Sequence, residues 1–167
     1  ETSVEEVLEK NWPGLHIEPL QAPENMEVLI GWTGSPASSP HLVSEVKRLK
    51  SDPIFYGKFL EQSNTCVENL IYAFKTNNIK GVQKMIRQNR SIIQQMDKEA
   101  TVDIETKKLK LLCDIGERFG GAAKTSGAGG GDCGITIIDN KVDKPSIYEV
   151  WEKEGIKPLK FKIYHGQ

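Results

Sequence analysis

The residues of this chain with the most chemical promise stand in one run, Gly121-Ala122-Ala123-Lys124-Thr125-Ser126-Gly127-Ala128-Gly129-Gly130-Gly131-Asp132-Cys133-Gly134. Small residues strip side chains from the backbone, so successive amide N–H groups can converge on an anion. Glycine also permits the positive φ angles that shape such a nest. Lys124 adds a cationic charge, and Thr125 and Ser126 add hydroxyl donors. Asp132 is the odd member, because a carboxylate beside a phosphate repels it; an amide, a lysine or a metal suits it better. The run is not a P-loop, since the lysine precedes the glycines and no strand-to-helix turn contains it. A dinucleotide fingerprint fails on the same ground. The plain alternatives are a flexible linker and a close-packed turn; a linker rarely separates an amphipathic helix from a β-branched strand.

The elements around the run follow from periodicity. Ser3 with Glu6 forms a capping box that opens a short helix to about Lys10. Leu15–Leu20 and Met26–Trp32 read as strands, the second apolar enough to be central. Met26–Trp32 leads into the turn and cap segment Thr33–Pro40, and Leu42, Val43, Val46 and Leu49 then recur at helical spacing. No proline occurs between Pro53 and Pro145, which leaves room for long helices. One helix carries Phe59, Ser63, Val67, Leu70, Ile71 and Phe74 on a face; the next carries Ile79, Val82, Ile86, Ile93 and Met96, with Asn77-Asn78 as the corner. A further helix runs from about Asp103 to Phe119 and stops at Gly120-Gly121. Gly134–Ile138 is a strand, Ser146–Glu154 a helix on Ile147, Val150 and Trp151, and Pro158–Tyr164 a strand with Leu159, Phe161 and Ile163 inward. This order predicts one α+β domain, an antiparallel sheet backed by helices.

Composition narrows the function classes. At 167 residues the chain can bury roughly 70% of its extended surface without a disulfide or metal staple. Eight of the fifteen glycines fall between Gly116 and Gly134, so the run above is a local feature and not a compositional bias. Lys+Arg 22 against Asp+Glu 23 argues against a nucleic-acid binder, and no apolar stretch approaches membrane-spanning length. Cys66, Cys113 and Cys133 are odd in number and widely spaced, as in reduced thiols, and His16, His41 and His165 lack metal-ligand spacing. No resident metal and a cytoplasmic location are the expectations, since no signal-peptide pattern is visible either. Trp12, Trp32 and Trp151 read as core or interface aromatics.

Lys124-Thr125-Ser126-Gly127-Ala128-Gly129-Gly130-Gly131-Asp132-Cys133 resembles the third motif of the GHMP small-molecule kinases. Its S-G-A-G-G-G-D-C form is most similar to the bacterial phosphomevalonate kinase branch. Gly31-Trp32-Thr33, followed by Ala37-Ser38-Ser39 and His41, is similar to that branch as well. The likeness runs from about Trp12 to Gln167. It implies a ferredoxin-like C-terminal domain. It further implies that Lys124, Ser126, Gly127, Ala128, Gly129 and Gly130, with Ser38 and Ser39 at a helix N-terminus, hold the phosphorylated substrate and the transferring phosphate. Asp132 and His41 are further candidates. The implied reaction is ATP + phosphomevalonate to ADP + diphosphomevalonate, with Mg²⁺, in isoprenoid synthesis. The family's P-x-x-x-G-L-G-S-S nucleotide loop is not in these 167 residues. The implied partner is therefore an N-terminal ATP-binding domain that brings the catalytic base, with residues 1–11 a helix continuing from it and the chain inactive alone. Another GHMP kinase, for mevalonate or a sugar, or a non-catalytic anion-binding module, is the alternative.

Overall fold

β1 (Met26–Trp32), β2 (Ala122–Thr125), β3 (Cys133–Asp139) and β4 (Lys157–Leu159) join in one antiparallel sheet of order β2-β3-β1-β4. Helices α1 (Pro53–Lys75), α2 (Ile79–Ala100) and α3 (Lys107–Arg118) lie in sequence between β1 and β2. α4 (Lys144–Lys153) connects β3 to β4. This is the ferredoxin-like arrangement that the resemblance implies, and the α+β order that the periodicity predicts. The computed structural model describes residues 4–5, 12, 15–37, 42–44, 47, 49–127, 129–161 and 163. The expected Ser3–Glu6 capping box and the residues Val7 and Leu8 lie outside these.

Side-chain oxygens start each helix by accepting orphan amides of the first turn. Asp52 accepts from Ile54 and Phe55, Asn78 from Gly81, Thr106 from Leu109 and Asp143 from Ser146. The Asn77-Asn78 corner turns because Asn77 takes φ 51°, a left-handed angle asparagine tolerates. On one face of the sheet Leu29, Ala123 and Ile138 pack with Leu112, Cys113 and Ile115 of α3 and Ile147 and Trp151 of α4. On the other, Met26, Ala122 and Ile137 pack with Ala73 of α1 and Ile79, Val82 and Ile86 of α2. Buried Gln83 ties α2 to the hairpin, its amide donating to the carbonyls of Gly120 at 3.2 Å and Ile137 at 3.1 Å.

Two paired glycines fix how α3 seats on the sheet. Gly31 and Gly134 face each other across β1 and β3. An added Cβ would come within 2.8 Å of Leu112 Cδ1 at Gly31 and within 2.6 Å of Leu112 Cδ2 at Gly134. Leu112, fully buried, thus fills a notch that only glycine leaves open.

Several expectations need correction. Leu15–Leu20 pairs with no strand among the described residues, and Leu15, Ile17 and Leu20 are exposed. Pro19 also removes a backbone donor that a ladder would need. Of the expected last strand, Lys157–Leu159 alone ladders onto Ile30–Trp32 among the described residues. Leu159 and Phe161 are exposed, although Ile163 packs on the α1–α2 cluster. On α1 the buried face is Phe59, Cys66, Leu70 and Ala73, which leaves Val67 exposed. α3 begins at Lys107, not near Asp103, because Thr106 is its cap. No helix among the described residues is long and apolar enough to cross a membrane.

Gly134→Ala should lower stability by about 1–3 kcal/mol through overpacking against Leu112. Urea unfolding would register this as a lower midpoint with unchanged slope.

Candidate anion-binding site

The register Gly31↔Gly134 and Trp32↔Cys133 sets the turn after β1 beside the glycine loop that precedes β3. The backbone then stitches the two together. Thr33 donates from both its amide and its hydroxyl to the carbonyl of Asp132, at 2.8 and 2.9 Å. The Asp132 amide returns to the Ser35 carbonyl at 2.6 Å. On the loop's other side the Gly130 amide donates to the Ile104 carbonyl at 2.8 Å, and Ser126 to Cys133 at 3.0 Å closes the base.

Four consecutive residues here have positive φ: Gly129 at 81°, Gly130 at 76°, Gly131 at 133° and Asp132 at 59°. Space demands glycine as firmly as angle does. A Cβ on Gly129 would lie 2.4 Å from the Ile104 carbonyl oxygen, and one on Gly131 would lie 2.9 Å from that of Ser35. Asp132 carries the left-handed angle as a non-glycine, which aspartate tolerates better than most residues.

The anchoring uses only some of the described amides. Those of Ser126, Gly130 and Asp132 are bonded, while those of Gly127, Gly129 and Gly131 have no partner among the described residues. Gly129 and Gly131 are buried, where unpaired amides are costly and rare. Free donors on a left-handed glycine backbone suit a multiply charged anion. They do not suit a cation: no group of three His, Cys, Asp or Glu among the described residues could hold a metal.

The expected site residues divide among several environments. Gly127 and Ser126 are exposed, and Gly129 and Gly130 form the anchored core of the loop. Lys124 folds back, its Nζ donating to the Thr125 carbonyl at 2.6 Å, and no described carboxylate pairs with it. Burial lowers its pKa below the ordinary lysine value. Asp132 contributes its backbone to the loop and exposes its side chain, with the Cys133 thiol 3.7 Å from Oδ1. Cys133 is half-buried, and burial, seconded by Asp132, raises its pKa, so it stays a protonated thiol. Ser38, Ser39, His41 and Ala128 lie outside the described residues. His16 is a surface residue 3.5 Å from Glu18. Of the tryptophans, Trp151 is core and donates to the Leu112 carbonyl, whereas Trp12 and Trp32 are exposed.

Ser35 and Ile104 escape a reading by residue type, because both act through carbonyl oxygens. A cavity of about 370 Å³ lies against Gly127, walled by Leu42, Tyr56, Ile93, Met96 and Ile104, with Lys47 and Lys50 also lining it.

Lys124 yields a signed prediction. A lysine whose folded pKa is depressed penalises the fold while charged, and the penalty fades as pH rises through that lowered pKa. Lys124→Met should therefore match or exceed the parent in urea at about pH 7, and its advantage should shrink toward about pH 10. Paired melts at both values measure this.

The comparisons with known proteins bear on the fold and the family. The family model described as GHMP kinases C terminal matches residues 70–157. A phosphomevalonate kinase of Streptomyces sp. (strain CL190) is 37% identical over 159 residues, 93% of this chain and 42% of that protein. The crystal structure of a Lin0012 protein from Listeria innocua superposes with a TM-score of 0.87 at 39% identity, covering 99% of this chain and 46% of the other. Streptococcus pneumoniae phosphomevalonate kinase in complex with phosphomevalonate and AMPPNP superposes at 0.80 and 27% identity, covering 94% of this chain and 45% of that one. The chain thus spans under half the length of the relatives it matches. With more than half of its residues inside the family model, on the sheet and loop just described, the chain belongs to the GHMP kinases, in their C-terminal domain family.

Proposed function

We propose that residues 1–167 form the substrate-side, C-terminal domain of a phosphomevalonate kinase, which transfers a phosphoryl group from ATP to phosphomevalonate. The observation that carries this reading is the glycine loop, whose Gly127, Gly129 and Gly131 amides are unpaired among the described residues. Identity to a phosphomevalonate kinase along 93% of the chain supports the choice of acceptor. Phosphoryl transfer rests on positioning and charge stabilisation more than on covalent chemistry. Preorganised N–H donors supply both, because they need no rearrangement as charge shifts during transfer. In this reading the loop binds phosphate oxygens, Lys124 releases the Thr125 carbonyl to join them, and Ser38 and Ser39 hold the acceptor's own phosphate. The cavity against Gly127, apolar with two lysines, suits an acceptor with a short carbon skeleton and anionic ends.

ATP, Mg²⁺ and the catalytic base then belong to an ATP-binding half, the proposed partner. Mg²⁺ supplies charge neutralisation on the nucleotide phosphates when bound. No group of three His, Cys, Asp or Glu gathers among the described residues, and no step here is assigned to Mg²⁺. Solubility in a cytoplasmic compartment accords with the free cysteines.

Coupled ADP release tests the reading. The complete enzyme should turn over phosphomevalonate with ATP and Mg²⁺ and reject mevalonate, while the 167-residue chain alone should show no steady turnover. Gly129→Ala in the complete enzyme should cut kcat by about 10²-fold. Preference for mevalonate, or steady turnover by the isolated chain free of contaminating kinase, would overturn the assignment.

A further inference from the structure

The glycine loop leans on a connection that no motif marks, residues 101–106 between α2 and α3. Asp97, near the end of α2, organises that connection from both its side chain and its backbone. Its Oδ1 accepts the Ile104 amide at 2.7 Å and its Oδ2 the Glu105 amide at 2.9 Å. Its carbonyl accepts the amides of Thr101, which is left-handed at φ 54°, and of Val102 at 3.2 Å. Glu105 is then locked from the far side. Arg90 Nε donates to Glu105 Oε1 at 2.5 Å, and Gln94 donates to Oε2 at 2.6 Å. Arg90 also reaches Asp114 of α3 at 2.9 Å. The Arg90 and Glu105 side chains are only 12% and 5% exposed.

What this cluster fixes is one carbonyl. With its amide and its neighbour's amide held by Asp97, Ile104 presents its oxygen to the Gly130 N–H at 2.8 Å, and Gly129 packs against the same group. A surface ion pair would carry little weight. A nearly buried pair with every oxygen bonded costs desolvation to form, and in return imposes a single geometry.

We propose that Asp97, Glu105 and Arg90 are positioning residues for the glycine loop, aligning its free amides for an anion by pinning Gly130 through the Ile104 carbonyl. This rests on the reading of the loop as an anion site and names what sets its shape.

Amide hydrogen exchange on the 167-residue chain decides it, with inorganic pyrophosphate titration as a second arm. In Asp97→Ala, Gly130 should exchange at least about tenfold faster than in the parent, while Ile137 and Ile138 in β3 keep their protection. Asp97→Asn retains one acceptor oxygen and should fall between the two. Arg90→Lys keeps the charge without the fork that spans Glu105 and Asp114, and should move the same way. Pyrophosphate affinity should drop in the same order. Unchanged Gly130 exchange overturns the proposal, as does loss of its protection only in step with Ile138. So does equal pyrophosphate affinity in parent and Asp97→Ala once Gly130 has loosened. Failure of the parent to bind pyrophosphate counts against the anion reading alone, because Gly130 exchange still reports whether Asp97 pins the loop.

Discussion

A run of four left-handed residues cannot satisfy its own backbone. Between Gly129 and Asp132 the chain forms neither helix nor ladder, so its amides depend on carbonyls brought from elsewhere. Two are supplied, from Ile104 on one side and Ser35 on the other. Those residues belong to different connections, one following α2 and the other following β1. The sheet order is what lets both reach the loop. β3 lies between β2 and β1, so the loop that opens it emerges beside the turn after β1. α2 and α3 cover the β2 side and deliver the second support.

Two buried cations in this domain are treated in opposite ways. Arg90 is withdrawn from water but surrounded by Glu105 and Asp114, whose hydrogen bonds outweigh the burial and keep it charged. Lys124 is withdrawn with only a neutral carbonyl for company, and burial erodes its charged form. The first arrangement is satisfied from within the chain. The second is an ammonium short of a counter-charge, which is the condition expected of a group that meets its anion from outside.

The sequence made the architecture legible because the strongest signals were strongly periodic. Val82, Ile86, Leu109, Leu112, Ile115, Ile147 and Trp151 all lie on the faces their spacing assigns them. Gly120 ends its helix at φ 87°. The two glycine-bearing motifs, at Gly31 and at Gly134, prove to be cross-strand partners. Misreadings cluster where a pattern needed a neighbour to complete it. Leu15–Leu20 reads as a strand but pairs with none among the described residues, and Phe161 alternates inward only if something covers it. The support of the loop was less legible still. Ile104 looks like an ordinary core residue and is buried as one, yet its backbone oxygen does the positioning. Asp97 sits on a plain polar helix end, where nothing in residue type or spacing separates a surface aspartate from a hub.

The notch between Gly31 and Gly134 bears on how this domain can drift over generations. Leu112 occupies the room that two absent side chains leave, so three positions on three separate elements share one volume. A first change at either glycine meets a leucine, and a first change at the leucine opens a void. Neither order of steps is free, and the compensated double change lies across a valley of less stable intermediates. Since the same strand pair carries the turn and the loop of the candidate site, that valley also holds the two segments in register.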